Sequence, residues 1–166
     1  GGAKPVRGGV DGGGPRLAAR WGEEADTRLE LGGTVFELKY RGGGHTPGDM
    51  LVWLPQKKLL FSGDVVYVDR TFGLIPVSLS KTWLQSFKPA VIVPGHGNVT
   101  NLAIAQAQTR DLLLALRAHM KKAVDDGIDI SAAVKSFNAQ PFAGLRHADV
   151  WIPQLANMTY LEMERE

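Results

Sequence analysis

Three short segments constrain this chain more than anything else in it: Gly42-Gly43-Gly44-His45-Thr46-Pro47-Gly48-Asp49, Phe61-Ser62-Gly63-Asp64 and Pro94-Gly95-His96-Gly97. Each sets one metal-capable side chain beside glycine, and each lies at or near an apolar run that reads as a strand. Two imidazoles and a carboxylate on separate strand-end loops are a donor set for a hard or borderline divalent cation. Loops that converge on one ion must turn sharply and bring backbones close together, which glycine permits. One such segment would carry little weight; three in succession carry a great deal.

The runs around these segments set the expected order of elements. Thr34 to Tyr40 alternates after Gly32-Gly33, with Phe36, Leu38 and Tyr40 on one face. Met50 to Leu54 and Lys58 to Phe61 flank Pro55-Gln56-Lys57 and predict a hairpin. Ala90 to Val93 predicts a short buried strand ending in the Pro-Gly-His-Gly turn. From Leu102 to Asp126 the period changes: Leu112, Leu116, Met120 and Val124 recur every four residues and Leu113 widens the stripe. Thr100 or Asn101 can cap the start of this helix, and Gly127 sits where a helix C-terminal glycine belongs. A shorter helix begins after Asp129 or Ser131, and Tyr160 to Glu166 reads as an amphipathic helical finish. Strands followed by helices imply helices packed on one face of a mixed sheet.

The remaining candidates have plainer readings. Asp49 reads as an Asx-type turn or a partner that orients a ligand, and Thr46 as bonding either a ligand or its own turn. His119 reads as a helix-surface residue, and His147 has no setting like that of His45 or His96. The indoles Trp53, Trp83 and Trp151 read as core. Residues 1–15 hold seven glycines and almost no large apolar side chain, so they read as a flexible tail or exposed connection, with one domain over 16–166.

A net charge of +2, with no basic cluster interleaved with aromatics, excludes a nucleic-acid footprint. The absence of cysteine excludes disulfides and thiolate ligands. No apolar run approaches a membrane span and no signal peptide opens the chain, so a soluble protein, cytoplasmic or periplasmic, is expected.

Gly-His-Thr-Pro-Gly-Asp, Ser-Gly-Asp and Pro-Gly-His-Gly, in that order, resemble the last three metal motifs of the metallo-β-lactamase superfamily. The resemblance runs from about Leu29 to Tyr160 and implies an α+β fold: an αββα sandwich, of which this chain looks like the C-terminal sheet-plus-helices half. It implies zinc, one or two ions in the complete fold, with iron or manganese left open. It further implies that His45 completes the first metal's histidine set, that Asp64 is the bridging and catalytic carboxylate, and that His96 serves the second metal. The family's upstream His-x-His-x-Asp-His motif is absent here, and no histidine precedes His45. In the antibiotic-hydrolysing members the position of Asp64 is usually cysteine or serine, whereas a bridging aspartate is typical of thioesterase-like and other hydrolases. The expected activity is therefore metal-dependent hydrolysis of a small ester- or thioester-like substrate with water as nucleophile, by this chain or by a protein of which it is a piece. The alternative is a catalytically silent half-domain that associates through its open apolar face, as a homodimer or with a missing N-terminal half.

Overall fold

A computed structural model describes residues 26–40, 45–73 and 88–166. The expected 1–15 tail, the three glycines before His45, and Trp83 lie outside the described residues. The alternating and apolar runs form one five-stranded sheet in sequential order: β1 (Thr27–Leu31), β2 (Thr34–Tyr40), β3 (Met50–Leu54), β4 (Leu59–Tyr67) and β5 (Val91–His96). The first four strands are antiparallel and β5 runs parallel to β4, so the sheet is mixed, as the order of elements predicts. The β3–β4 hairpin closes through a single 3-10 turn, Pro55–Lys57. β1, which the sequence reading did not assign, pairs with β2 across the Gly32-Gly33 turn.

Strand register divides the apolar side chains between two faces. Leu60 lies opposite Trp53 and Ile92, while Phe61 lies opposite Val52 and Val93. The Leu60 face joins the helices: Leu51, Leu60 and Ile92 share one buried cluster with Leu112, Leu116, Met120 and Leu155. Phe36, Leu38 and Tyr40 share the other face by alternation, with Leu38 buried and its two neighbours half-buried. Phe61 and Val91, also there, are each 39% exposed.

Two strands run further than the sequence suggests. The Ser62-Gly63-Asp64 segment does not end β4; it is a bulge inside it. Phe61 to Tyr67 lies opposite only Val93 to His96, and the register slips twice at Gly63. Asp64 is thus a strand residue displaced from its ladder, not a turn or cap. Likewise Pro94-Gly95-His96 is the end of β5 itself, and the turn begins only at Gly97. Sequence alternation could not show this, because a bulge interrupts the period it relies on.

The long helical run opens as α1 (Leu102–Ala105), capped by the Asn101 side chain on the Ile104 amide at 3.0 Å. It passes through a π-helical turn, Gln106–Arg110, into α2 (Asp111–Asp125). α3 (Ile130–Ser136) is capped by Asp129. α4 spans Ala148–Met163, beginning well before the expected Tyr160 because Pro153 lies within its second turn and disguises the apolar spacing of Ile152, Leu155, Ala156, Thr159 and Tyr160. His119 is not a plain surface residue: its Nε2 lies 3.0 Å from the Ala133 carbonyl and its ring meets Phe137 edge-on, joining α2 to the end of α3. Among the described residues no helix is long and apolar enough to cross a membrane.

Candidate metal centre

The site is assembled where the bulge of β4 meets the end of β5. A Cβ on Gly95 would lie 2.0 Å from the Asp64 carboxylate oxygen Oδ1, 2.6 Å from the Gly63 carbonyl carbon and 2.7 Å from the Asp64 amide nitrogen. Only glycine lets β5 pass this close to the bulge. Gly97, at φ +99°, places its missing Cβ 2.0 Å from the Val68 carbonyl oxygen. The two glycines flanking His96 are therefore requirements of strand approach, and the imidazole between them is delivered to Asp64. His96 Nε2 lies 3.6 Å from Asp64 Oδ1, with the two side chains 46% and 39% exposed.

That spacing suits a shared cation. Two donors about 2.1 Å from a tetrahedral zinc stand roughly 3.4 Å apart. Both groups also face solvent, so an ion could reach them.

His45 stands in the loop after β2. Its Nδ1 lies 3.0 Å from the Gly73 carbonyl. A neutral imidazole that donates from Nδ1 carries its lone pair on Nε2, the arrangement in which a histidine ligand is oriented by a backbone carbonyl. The loop is fixed by a turn of its own: the Thr46 amide donates to Asp49 Oδ2 at 2.8 Å and the Thr46 hydroxyl to Asp49 Oδ1 at 2.5 Å. Tyr40 pins it further by donating to the Pro47 carbonyl at 2.9 Å. Thr46 and Asp49 thus bond each other and hold the loop that carries His45.

The structure brings Asp64 and His96 together directly and links His45 to them through Tyr67. Among the described residues no group of three or more histidine, aspartate or glutamate side chains is gathered tightly enough to hold one ion. Tyr67 lies opposite His96 in the β4–β5 register, stacks on it with ring centroids 5.0 Å apart, and has the His45 ring at 6.3 Å. Burial pushes its phenol well above the ordinary value, and the charge of the Asp64 carboxylate acts in the same direction. The sequence reading missed Tyr67 because Val65-Val66-Tyr67 looks like plain core. Its only signal was the position three residues after Asp64.

The family model described as the Metallo-beta-lactamase superfamily matches residues 4–96. The Metallo-beta-lactamase type 2 of Bacillus sp. (strain 170) is 32% identical over 97 residues, which is 52% of this chain and 37% of that protein. The 2,4-dinitroanisole O-demethylase subunit alpha of Nocardioides sp. (strain JS1661) is 30% identical over 77 residues, 42% of this chain and 24% of the relative. The chain spans well under half the length of these curated relatives. Among solved structures, the stereoselective inverting sec-alkylsulfatase Pisa1 from Pseudomonas sp. matches 84% of this chain and 26% of its own, with a TM-score of 0.65 at 18% identity. At that identity the likeness concerns the fold alone.

Proposed function

The chain belongs to the metallo-beta-lactamase superfamily, and on that premise we propose that it contributes His45, Asp64 and His96 to the metal centre of a hydrolase acting on an ester- or thioester-like substrate. The observation that carries this reading is the Asp64–His96 pair, 3.6 Å apart and seated on a glycine that leaves no room for a Cβ. A divalent ion held there, zinc or else iron or manganese, would supply a Lewis acid, and zinc would lower the pKa of its bound water towards about 7. Asp64, with two carboxylate oxygens, can serve two ions at once, the bridging and catalytic role. His45 and His96 would each supply an imidazole nitrogen to an ion.

Among the described residues, no side chain of this site is placed to act as the nucleophile instead. The chain has no cysteine. Ser62, beside Asp64 in sequence, is 1% exposed and directs its hydroxyl to the carbonyls of Gly63 and Val93 at 3.3 Å. The superfamily relatives named above carry lactamase and O-demethylase names. A carboxylate at position 64, where antibiotic-hydrolysing members usually have cysteine or serine, favours the ester or thioester over the lactam.

The test measures zinc stoichiometry by elemental analysis, and turnover of a panel of esters, thioesters and lactams. It compares the chain alone with the chain joined to a segment carrying a His-x-His-x-Asp-His motif. The joined protein should hydrolyse an ester or thioester only when metal is bound, and Asp64→Ala should lower both metal content and turnover. Full activity from the chain alone, or a preference for lactams, would refute the reading.

The exposed sheet face favours a second reading, a silent half-domain that works by association. Val52, Phe61 and Val93 lie side by side there, next to Val91, and Leu31 at the end of β1 is 75% exposed. Covering such a face with a second copy or a complementary half would bury it as a sandwich core. Sedimentation at micromolar concentration should then find a dimer; a monomer stable to dilution would remove this alternative.

A further inference from the structure

One side chain at the centre has no part in the chemistry above, yet it neighbours every candidate ligand. Tyr67 is only 5% exposed. Its ring lies 22° from parallel with the His96 imidazole, the His45 ring is tilted 57° beside it, and burial together with the charge of the nearby Asp64 carboxylate raises its phenol pKa. Its own backbone is held from outside the sheet. Thr109 accepts a hydrogen bond from the Tyr67 amide at 3.1 Å and donates one to the Tyr67 carbonyl at 2.6 Å. Two residues on, the Asp69 amide donates to Gln108 Oε1 at 2.7 Å. Gln108 and Thr109 both lie in the π-helical turn between α1 and α2. That turn departs from regular helix at the place where it grips the end of β4.

We propose that Tyr67 is a positioning residue that sets the Asp64 carboxylate and the His96 imidazole for a metal ion, and that the π turn anchors it through Thr109. Asp64 and His96 each project to solvent from a bulge or a strand end, so neither is confined by packing alone. On this reading the Tyr67 ring fixes the plane of the imidazole, and the phenol dipole steers the neighbouring carboxylate. Partners of this kind set ligand orientation before the metal arrives, and their loss weakens metal binding without removing a ligand.

This inference rests on the metal reading, and the test separates the two. Cobalt(II) is titrated into the parent chain, Tyr67→Phe, Tyr67→Leu, Thr109→Val and Thr109→Ser, followed by visible absorption. The His96 ring protons are recorded by NMR in the metal-free proteins. Tyr67→Phe keeps the stack and should leave the His96 resonances in place while raising the cobalt dissociation constant roughly tenfold or more. Tyr67→Leu should shift those resonances and weaken binding further. Thr109→Val should weaken binding although it touches no ligand, and Thr109→Ser, which keeps the hydroxyl, should restore it. If the parent binds no cobalt, the metal reading falls and this inference falls with it. If the parent binds cobalt and both Tyr67→Phe and Thr109→Val bind within twofold of it, this inference alone is overturned. Should Tyr67→Leu fail to fold, the phenylalanine and Thr109 variants decide the matter.

Discussion

Gly95→Ala is the most informative single change in this chain. The added methyl would start 2.0 Å from Asp64 Oδ1, and an ordinary contact begins near 3.4 Å, so the carboxylate must retreat by roughly 1.4 Å. Side-chain rotation alone cannot relieve the clash, because the Gly63 carbonyl carbon and the Asp64 amide nitrogen lie at 2.6 and 2.7 Å and belong to backbone. The β4 bulge and β5, which pair in parallel, must separate by several tenths of an ångström. Overpacking of this kind costs about 1–3 kcal/mol, and a backbone clash belongs at the upper end, about 2–3 kcal/mol. For a chain of 166 residues that is a fall of roughly 4–12 °C in Tm. The same displacement breaks the 3.6 Å Asp64–His96 spacing, so metal affinity should drop by about ten- to a hundredfold. Gly144→Ala is the control: nothing lies within 4 Å of its added Cβ, and its effect should stay within about 0.5 kcal/mol. Chemical unfolding of both variants, with zinc competition against a chromophoric chelator, measures the two effects. A Gly95→Ala protein as stable as Gly144→Ala, or one that binds metal like the parent, would show that the strand approach does not govern the site.

Thr109→Val leaves the Tyr67 amide and carbonyl without their side-chain partner in a buried place, and should cost about 1–3 kcal/mol in urea unfolding, with Thr109→Ser close to the parent. Tyr67 has a raised folded-state pKa, so its unfolded phenol ionises first as pH climbs through 10. Its contribution is complete below pH 10 and is lost at up to about 1.4 kcal/mol per pH unit above it. Lys39 acts with the same sign: burial lowers its pKa, but the hydrogen bonds and charges of Asp26 and Glu37 outweigh this and raise it. Unfolding midpoints between pH 9 and 11 should therefore fall more steeply for the parent than for Tyr67→Phe, and equal slopes would contradict the assignment. Asp129→Ala removes the cap that accepts from the Ser131 and Ala132 amides at 3.0 and 3.1 Å, and circular dichroism melts should register a loss of about 1 kcal/mol.

The amino-acid sequence by itself determined the candidate ligand positions and the outline of the sheet. His45, Asp64 and His96 stand out because glycine beside a metal-capable side chain is a local pattern, and the β2 and β3–β4 runs are legible because alternation is local too. The Asn101 and Asp129 caps and the Leu112/Leu116/Met120 stripe were open to the same reading, since each is settled within a turn or two of helix. Only the tertiary structure decided how these pieces meet. The bulge that makes Asp64 a strand residue exists in relation to β5, which lies far along the chain, and no periodicity within β4 announces it. The grip of the π turn on Tyr67 joins residues 42 apart in sequence, and the start of α4 at Ala148 is paid for by packing that overrides Pro153. Side-chain identity and short-range period are written in the order of residues. Register shifts, close backbone approach and the pairing of Asp64 with His96 arise only when distant strands compete for the same space.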